Sequence, residues 1–259
     1  MPELPEIAAA AAQLSAAIRG KTLARVAMLH PSFARRLPAA AAASLAGRTV
    51  AGVETRGKHQ LIRLDDGRVL AAHFRLDGEW EVARAGDPLP RFARAVLETT
   101  DGTRVTLVDS RALATLALAD RAESLLPRLG PEPTSAGFTP DALGAALARR
   151  RGAIKPALLD QRVVAGLGNI YAAEALWLAR ISPFAAAASL GAARRARLVR
   201  AIRDVLRRAP QGRYWMDDRV TNWRVYDREG ARCRRCGGRI RRRAQAGRST
   251  FYCPECQRR

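Results

Sequence analysis

The sequence predicts a multidomain α+β protein, in which a β-sandwich with a leading helix precedes a helical domain and a short cysteine-bearing module. Short β-rich runs separated by Asp-Gly turns dominate the first half, as in sandwiches and barrels. The run Leu129-Gly130-Pro131-Glu132-Pro133 marks a boundary, after which the patterns are helical. All four cysteines lie near the end of the chain.

Length and charge limit the possible classes of protein. The chain has 259 residues and is 48% hydrophobic, which predicts a globular protein of two domains with an appended module. Its net charge of +21 favours nucleic acid as the partner, because neutralised phosphates release counterions. A membrane surface is the weaker alternative, since no basic helix carries bulky aromatics on an apolar face. Without a secretory signal or a transmembrane-length run, we expect a cytosolic, nucleoid-associated monomer with no membrane contact.

The first domain, residues 1–130, is expected to begin with a helix over residues 5–19. Its alanine-rich run has high helix propensity, and Gly20 is a stop signal. A short helix is expected at the alanine run 39–43, on the edge of the strands. Strands are predicted for residues 22–29, 49–54, 60–64, 69–73, 79–82, 95–99 and 104–108.

The second domain, residues 131–222, is predicted to be helical, and residues 223–259 to form the cysteine-bearing module. Helices are expected over residues 140–150, 156–164, 169–179 and 190–208. A second change of composition falls at Pro210-Gln211-Gly212.

The cysteines form two pairs, Cys233-x2-Cys236 and Cys253-x2-Cys256, separated by sixteen residues. Each pair can offer two thiolates to one tetrahedral ion, so the spacing predicts one structural Zn²⁺ with no position left for a catalytic water. Two disulfides or four unligated thiols are the alternatives. A cytosolic chain disfavours disulfides, and the last 37 residues hold too few large apolar side chains to fold unaided.

A glycine-rich turn, Gly166-Leu167-Gly168-Asn169, lies between two predicted helices. Asn169 can cap the second helix, and backbone amides at a helix start bind phosphate. Gly-x-Gly turns are common, so this signal is weak alone. The chain has three lysines among 45 basic residues, and Lys58 and Lys155 are therefore candidates for roles that arginine cannot fill.

The N-terminal run Met1-Pro2-Glu3-Leu4-Pro5-Glu6 carries the most specific chemistry. Removal of Met1 would leave Pro2 with a secondary amine whose pKa lies near ~8, so that it is partly neutral and nucleophilic near pH 7. Attack on an aldehyde-like carbon would give an iminium, with Glu3 moving protons. A solvated chain end before a helix is the plain alternative.

Two further features have no single interpretation from the residues alone. His73 ends an apolar strand, where a histidine is more often structural than catalytic. Asp109-Ser110-Arg111, at another strand end, suits either a structural ion pair or a DNA contact equally well.

Together these residues resemble the formamidopyrimidine-DNA glycosylase / endonuclease VIII family of DNA repair enzymes. The matching motifs occur in the family's order and span essentially the whole chain: the N-terminal hexapeptide, Arg56-Gly57-Lys58, Asp109-Ser110-Arg111, the run from Leu129 to Pro133, Ala153-Ile154-Lys155-Pro156, Gly166 to Ala172, Val225-Tyr226, and Arg248 with the four-cysteine finger. The resemblance implies a two-layer β-sandwich with a leading helix, a helix–two-turn–helix domain and a C-terminal zinc finger.

The resemblance also implies a bifunctional DNA glycosylase and abasic-site lyase that flips an oxidised base out of double-stranded DNA. Pro2 would attack the sugar C1′ and Glu3 would shuttle protons, while Lys58 would donate a proton or clamp a phosphate. Arg248 would assist the second elimination. The residues implied to support the site or contact DNA are Glu6, His73, Leu76, Arg111, Arg150, Lys155, Asn169 and Tyr171.

The sequence departs from the family where substrate choice is set. Leu76 replaces a wedge methionine, and Arg75 replaces a glycine. Leu113 aligns with the intercalating Phe of an Asp-Pro-Arg-Arg-Phe motif. Residues 212–225 are too few for the loop that covers 8-oxoguanine in the formamidopyrimidine branch, whereas the hexapeptide favours that branch, so the preferred lesion stays open.

Two rival functions remain at this point. A catalytically silent protein on the same scaffold could grip damaged or bent DNA, although Pro2, Glu3 and Lys58 are all retained. An RNA-binding zinc-ribbon protein is the third possibility, but no aromatic stacking platform is evident.

Overall fold

The computed structural model describes residues 2–209 and 222–258, which belong to two compact units, Met1–Pro127 and Arg128–Arg259. The three-domain division at residues 130 and 222 stays a prediction.

The first unit opens with helix α1 (Leu4–Ile18), one residue earlier than predicted. Glu3 is its N-cap and forms a capping box with Glu6. The Glu3 side chain accepts a hydrogen bond from the backbone N–H of Glu6, and the Glu6 carboxylate accepts one of 2.7 Å from the N–H of Glu3. The box satisfies two N–H groups that a helix start leaves unpaired.

Two four-stranded antiparallel sheets follow, with strand orders β1-β6-β7-β5 and β2-β3-β4-β8. The strands are β1 (Leu23–Met28), β2 (Val50–Arg56), β3 (His59–Leu64), β4 (Val69–His73), β5 (Glu79–Arg84), β6 (Ala93–Thr99), β7 (Thr103–Val108) and β8 (Thr115–Ala119). Three short helices accompany them: α2 (Pro31–Ala34), α3 (Ala39–Ala43) and α4 (Ala122–Leu125).

One hydrophobic core joins both sheets to α1. It contains Leu23 and Leu97 of the first sheet, Ile62 and Leu70 of the second, and Leu14 of the helix. Each such side chain contributes roughly 1.5–3 kcal/mol on burial. The packing of two sheets on one core confirms the predicted sandwich with its leading helix.

Strand β8 is absent from the sequence prediction. Its residues Thr115-Leu116-Ala117-Leu118-Ala119 alternate, but alanine is a poor strand former. Pairing with β4, from Val69↔Ala119 to His73↔Thr115, supplies what local propensity lacks.

In the second unit the helices are α5 (Pro140–Leu147), α6 (Ile154–Leu159), α7 (Asn169–Leu178) and α8 (Ala192–Arg207), with a 3₁₀ turn at Ala187–Ser189. Helix α6 ends five residues before the predicted end of 164, because Asp160 has extended backbone (φ −71°, ψ 114°). Its carboxylate accepts the backbone N–H of Arg162 and pairs with Arg150. Helix α5 likewise ends at Leu147 and not at residue 150.

A hairpin of β9 (Arg241–Gln245) and β10 (Arg248–Tyr252) forms the C-terminal finger. Its small core contains Val225, Ile240 and Phe251, and it packs against Ala173 and Trp177 of α7. Among the described residues, no helix combines the length and the hydropathy needed to cross a bilayer.

Candidate DNA-repair site and zinc finger

The N-terminal residues of the first unit are held in place. Pro2, Glu3 and Leu4 are buried, and Glu3 is 1% exposed. Chain ends are usually mobile, and a carboxylate is rarely buried without partners. The capping box supplies those partners, so Pro2 and Glu3 occupy defined positions at the start of α1.

Lys58 lies in the two-residue turn that joins β2 to β3. Gly57 takes a positive φ of 59° at the first central position, as a type II′ hairpin turn requires, and Arg56↔His59 close the ladder. The Lys58 side chain is 6% exposed. The hairpin turn therefore holds Lys58 in a defined position.

His73, at the end of β4, packs edge-on against His59 with ring centroids 4.7 Å apart. Burial, the neighbouring His59, and the positive charges of Arg75 and Lys58 lower the pKa of His73 to about 3. Its Nδ1 accepts the N–H of Arg75 at 3.0 Å, so the proton of the neutral ring is on Nε2. His73 is therefore a neutral hydrogen-bond donor near Lys58.

Two loops carrying predicted DNA contacts are tied together. Asp77 accepts hydrogen bonds from Ser110 Oγ and, at 3.0 Å, from Nε of Arg111. Burial opposes ionisation of Asp77, but these bonds lower its pKa below the ordinary value. Leu76, next to Asp77 in the chain, is 38% exposed, and its loop is tied through Asp77 to the loop that carries Arg111.

Asp109 has a structural role. It is 1% exposed, and its carboxylate accepts the backbone N–H groups of Arg111, Leu113 and Ala114. Arg94 donates to the carbonyl oxygens of Asp109 and Ser110. Of the two interpretations that the sequence left open for this motif, Asp109 takes the structural one, while exposed Arg111 remains a candidate contact.

Phe92 is a surface aromatic that the motifs do not identify. It has a positive φ of 67°, is 39% exposed, and its carbonyl accepts the N–H of Asp109. The guanidinium groups of Arg91 and Arg94 lie 4.5 and 5.7 Å from its ring centroid. In the sequence, the only feature that distinguishes Phe92 is that it is an aromatic residue between Arg91 and Arg94.

In the second unit, Lys155 forms a buried hydrogen-bonding centre and not the expected surface contact. The side chain is 1% exposed. Its Nζ donates to Oδ1 of Asn169 at 2.6 Å, to the carbonyl oxygen of Ser249 at 2.9 Å and to Oγ1 of Thr250 at 2.7 Å. An ammonium has three donors, and protein acceptors engage all three.

Asn169 and Tyr171 also differ from expectation. Gly168 is the N-cap of α7, and Asn169 is its first helical residue, with its side-chain amide donating to the Ser249 carbonyl at 3.1 Å. Tyr171 is fully buried and packs edge-on against Trp223 at 5.7 Å. Its ring therefore belongs to the unit's core, and helical periodicity could not place it there.

The two candidate arginines of this unit differ in their surroundings. Arg150 is half-buried and pairs with Asp160 at 2.7 Å, and Arg162 together with Arg150 holds the pKa of that carboxyl far below its usual range. Arg248 is exposed at the start of β10, directly before Ser249. Lys155 thus fixes the backbone on which Arg248 is carried.

The four cysteines converge as the spacing predicted. Their sulfurs lie within 4.8 Å of one another, with Cys233–Cys256 at 3.8 Å and Cys236–Cys253 at 3.5 Å. Tetrahedral Zn–S bonds of about 2.3 Å place sulfurs about 3.8 Å apart. A disulfide requires about 2.05 Å, so the cysteines are not cross-linked and fit one structural Zn²⁺.

The electrostatics of the sulfurs fit a cation. Burial opposes ionisation of Cys233, yet the backbone N–H groups of Arg235 and Cys236 and the Trp177 indole lower its pKa to about 6. Burial and the neighbouring sulfurs raise the pKa of Cys256 to about 12. Four thiolates at these distances repel one another, and a bound divalent cation offsets that repulsion.

A buried carboxylate absent from the predicted site anchors the finger. Glu174 of α7 is 1% exposed, and its Oε1 accepts the backbone N–H groups of Arg224, Val225 and Tyr226 at 3.0, 2.8 and 2.9 Å. The short-loop prediction for residues 212–225 falls mostly on residues 212–221, which lie outside the described part of the chain, as does Met1.

Three domains of one enzyme family match successive parts of the chain. The formamidopyrimidine-DNA glycosylase N-terminal domain matches residues 1–116, and the H2TH domain of the same enzymes matches residues 129–215. A zinc finger found in FPG and IleRS matches residues 230–259.

Relatives of similar length match end to end. The formamidopyrimidine-DNA glycosylase of Phenylobacterium zucineum is 42% identical, with both chains covered in full. That of Chloroflexus aurantiacus is 40% identical over 99% of this chain and 98% of the relative.

Solved structures agree with the fold. The Lactococcus lactis Fpg in complex with abasic-site DNA superimposes with a TM-score of 0.89 at 28% identity, covering 99% of this chain and all of that one. MutM in complex with carbocyclic 8-oxo-G DNA gives a TM-score of 0.90 at 29% identity over both full chains. The chain therefore belongs to the formamidopyrimidine-DNA glycosylase / endonuclease VIII family of DNA repair enzymes, which act on oxidised bases.

Proposed function

We propose that this protein is a bifunctional DNA glycosylase and abasic-site lyase that excises oxidised bases and cleaves the strand by β,δ-elimination through Pro2. The observation that carries the proposal is the fixed N-terminus: Pro2 is buried, and Glu3 is buried beside it in a reciprocal capping box. A solvated chain end would have no such order.

In the first step, after removal of Met1, the lone pair of the Pro2 nitrogen attacks C1′ of the flipped nucleotide. The bond from C1′ to the base breaks, and the base leaves with the electron pair and takes up a proton. Glu3 transfers a proton to the ring oxygen, so the sugar opens and the C1′–N bond becomes an iminium. This is the Schiff-base route of covalent catalysis.

In the second step the iminium acidifies the C2′ hydrogens. Loss of one C2′ proton expels the 3′ phosphate, and a second elimination expels the 5′ phosphate. Water then hydrolyses the iminium and restores the Pro2 amine. Lys58 donates a proton or holds a phosphate during elimination, since its buried hairpin position fixes the ammonium. Arg248 assists the second elimination.

Other side chains grip the bent duplex. Leu76 fills the space of the flipped base and Arg111 faces the orphaned base, because both are exposed on loops joined through Asp77. Neutral His73 donates from Nε2 towards the DNA, and Glu6 supports Glu3.

In the second unit Arg150, Asn169 and Arg248 contact phosphates. Lys155 positions Asn169 and the backbone next to Arg248 without touching DNA, and Tyr171 is buried in the core of the unit. The charge of +21 supplies the long-range attraction to double-stranded DNA.

The finger holds one Zn²⁺ through Cys233, Cys236, Cys253 and Cys256. The ion supplies folding free energy to a module whose core is small, and takes no part in bond breaking. The protein acts as a cytoplasmic monomer.

Oxidised bases are the proposed substrates because the solved relatives include complexes with Fapy-dG and 8-oxo-G analogues. Leu76 and Leu113 replace family side chains, so a panel of 8-oxoguanine, formamidopyrimidine, thymine glycol and dihydrouracil duplexes decides between purine and pyrimidine lesions.

The test is borohydride trapping on a duplex with an abasic site. We expect a covalent protein–DNA adduct with the mature protein, and none with Pro2→Gly or when Met1 is retained. A folded protein that binds the duplex but gives no adduct would be a silent DNA-binding protein, and the catalytic proposal would be wrong.

A further inference from the structure

A closed hydrogen-bond circuit joins the finger hairpin to α6 and to the segment that follows α7. Nζ of Lys155 donates to Oγ1 of Thr250 at 2.7 Å, and that hydroxyl donates to Oε1 of Gln245 at 3.1 Å. The Gln245 amide donates to the carbonyl oxygen of Pro183 at 3.2 Å. The same carbonyl accepts the backbone N–H of Lys155 at 3.3 Å, so the circuit begins and ends at one residue.

The side chains of this circuit are held in one orientation. A hydroxyl has a single proton, and because the ammonium of Lys155 can only donate, the Thr250 proton is directed to Gln245. The carboxamide of Gln245 then has its oxygen towards Thr250 and its NH₂ group towards the Pro183 carbonyl. Hydrogen bonds in such a chain polarise and strengthen one another. Gln245, which is half-buried, is therefore fixed at both ends of its amide.

The turn between β9 and β10 depends on its neighbours for its conformation. Ala246 and Gly247 both have a positive φ, 48° and 72°, as a two-residue type I′ turn requires. Glycine adopts this conformation readily, but a residue with a Cβ does so only where the surrounding structure holds it. Gln245 directly precedes the turn and Arg248 directly follows it, and the two are paired across the ladder. A constraint on Gln245 thus reaches Arg248 across one turn.

Arg248 lies on the same face of the hairpin as the circuit. Paired residues of an antiparallel ladder share a face, as do residues two apart along a strand. Gln245 and Arg248 form such a pair, and Thr250 lies two residues beyond Arg248. Thr250 is buried, whereas Arg248 is exposed at the end of the hairpin. A displaced Gln245 side chain would therefore redirect the Arg248 guanidinium.

We propose that Gln245 is a positioning residue for Arg248 in the second elimination. The inference rests on the proposed function, which assigns Arg248 to that step. After the first elimination, the iminium is conjugated with a C2′–C3′ double bond and acidifies the C4′ proton. Loss of that proton supplies the electron pair of a new C4′–C5′ double bond, and the bond from C5′ to the 5′ phosphate breaks.

The leaving group explains why the position of a guanidinium matters in this step. The 5′ phosphate departs with the bonding electron pair and gains negative charge, which a charge-assisted hydrogen bond from a fixed guanidinium stabilises. Gln245 touches neither the DNA nor the reacting atoms, and acts only through the direction that it gives to Arg248.

The inference predicts an effect on one step alone. Base excision and the first elimination are assigned to Pro2, Glu3 and Lys58, none of which belongs to the circuit. Loss of the Gln245 hydrogen bonds should therefore slow the second elimination selectively. A general loss of finger structure would instead weaken DNA binding and slow every step.

The experiment follows a 5′-labelled duplex with one abasic site under single-turnover conditions. A denaturing gel separates the product of the first elimination, which keeps the sugar fragment, from the final product, which ends in a 3′ phosphate. Gln245→Met keeps the length of the side chain without its hydrogen bonds. We expect it to slow the second step roughly fivefold, the factor that about 1 kcal/mol gives. Borohydride trapping and the rate of the first elimination should stay unchanged.

Further variants test whether Gln245 acts through Arg248. We expect Arg248→Ala to slow the second step more than Gln245→Met does, and the double variant to be no slower than Arg248→Ala. Thr250→Ser keeps the hydroxyl and should retain the wild-type ratio of products, whereas Thr250→Val should resemble Gln245→Met. Gln13→Met, the same substitution at an exposed position of α1, should change neither step.

Three results would overturn the inference. The first is an unchanged second step in Gln245→Met, and the second is a further loss when Gln245→Met is added to Arg248→Ala. The third is an equal slowing of trapping and of both eliminations, because that pattern means that Gln245 only keeps the finger folded. If the wild-type protein forms no adduct and cleaves neither side of the abasic site, the proposed function itself fails.

Discussion

Nζ of Lys155 lies 2.6 Å from Oδ1 of Asn169, and the same ammonium reaches the Ser249 carbonyl and the Thr250 hydroxyl. One buried cation therefore cross-links the first turn of α6, the start of α7 and strand β10. An arginine would place a planar guanidinium at this position, whereas the three acceptors are arranged around the point charge of an ammonium. The lysine thus sets the geometry of Asn169 and of the backbone next to Arg248.

Removing that ammonium is predicted to destabilise the protein. Lys155→Met keeps the length of the side chain but leaves three acceptors without their donor, which costs about 3 kcal/mol in the free energy of unfolding. Urea denaturation of the zinc-loaded protein measures the loss. DNA affinity is expected to fall as well, because Asn169 loses its alignment.

The matched control is Lys21→Met. Lys21 pairs with exposed Asp101 at 2.8 Å, and an exposed pair contributes less than about 1 kcal/mol. Equal destabilisation by the two substitutions would contradict the structural role of Lys155.

The zinc finger gives the second prediction. Trp177 of α7 donates its indole N–H to Cys233 at 3.4 Å and packs on the finger core. Removal of zinc by a strong chelator is expected to change tryptophan fluorescence and to weaken binding to abasic DNA at least tenfold, since the finger carries Arg248. Zinc added back should restore both signals, and unchanged affinity in zinc-free protein would contradict the role of Arg248.

The sequence predicts the strands and the cysteine cluster of this molecule better than it predicts which side chains are buried and what they contact. Alternation, turn dipeptides and cysteine spacing are local signals, and they predicted seven of the strands and the four-cysteine cluster. Burial is not local. Lys155 and Tyr171 resembled surface contacts in the motif, but tertiary packing places both in the interior.

Because burial depends on residues that are distant in sequence, the motifs also fail to identify some buried side chains. Glu174 lies in a helix of low amphipathicity, and nothing nearby in sequence indicates that its partners are backbone N–H groups some fifty residues further on. A cavity lined by Arg35, which follows α2, and by Leu113, which follows β7, likewise brings together segments far apart in the chain. Such sites need the fold before they can be identified.

Glu174 itself supports the third prediction. Its carboxylate accepts backbone N–H groups at the entry to the finger, and Glu174→Gln would replace one acceptor oxygen by an NH₂ group and remove the charge. We expect a loss of about 2 kcal/mol in the free energy of unfolding, measured in urea. Glu229→Gln, at an exposed carboxylate 3.9 Å from Arg242, is the control and should change stability little.

The fourth prediction concerns pH. Burial lowers the pKa of His59, and the pKa of His73 falls to about 3, against an ordinary value of 6.5. The folded state therefore binds fewer protons than the unfolded chain below pH 6.5. The neutral His59–His73 pair makes its full contribution to the free energy of unfolding above that pH. This contribution is lost progressively as pH falls towards 3.

We expect the free energy of unfolding to decrease by about 1 kcal/mol or more between pH 6.5 and 5. In His59→Gln/His73→Gln this slope should flatten, because the neutral amides do not titrate. Parallel pH profiles for the wild-type protein and the double variant would rule out the pair as its cause.

The last prediction separates loop alignment from charge. Asp77 joins Leu76 to Arg111, and Asp77→Ala breaks that link while adding one unit of positive charge to the proposed DNA-binding face. Charge alone would tighten binding to phosphates. If alignment matters more, affinity for a duplex with an abasic-site analogue falls about fivefold, although the exposed ion pair costs less than about 1 kcal/mol of stability.

Asp66→Ala removes an aspartate paired with Arg68 on a distant turn and adds the same charge, so it should bind as well as the wild-type protein or slightly better. Anisotropy titrations at two salt concentrations distinguish the effects, because a change in charge alters the salt dependence and a change in alignment does not. Tighter binding by Asp77→Ala would mean that Asp77 restrains Arg111 instead of positioning it.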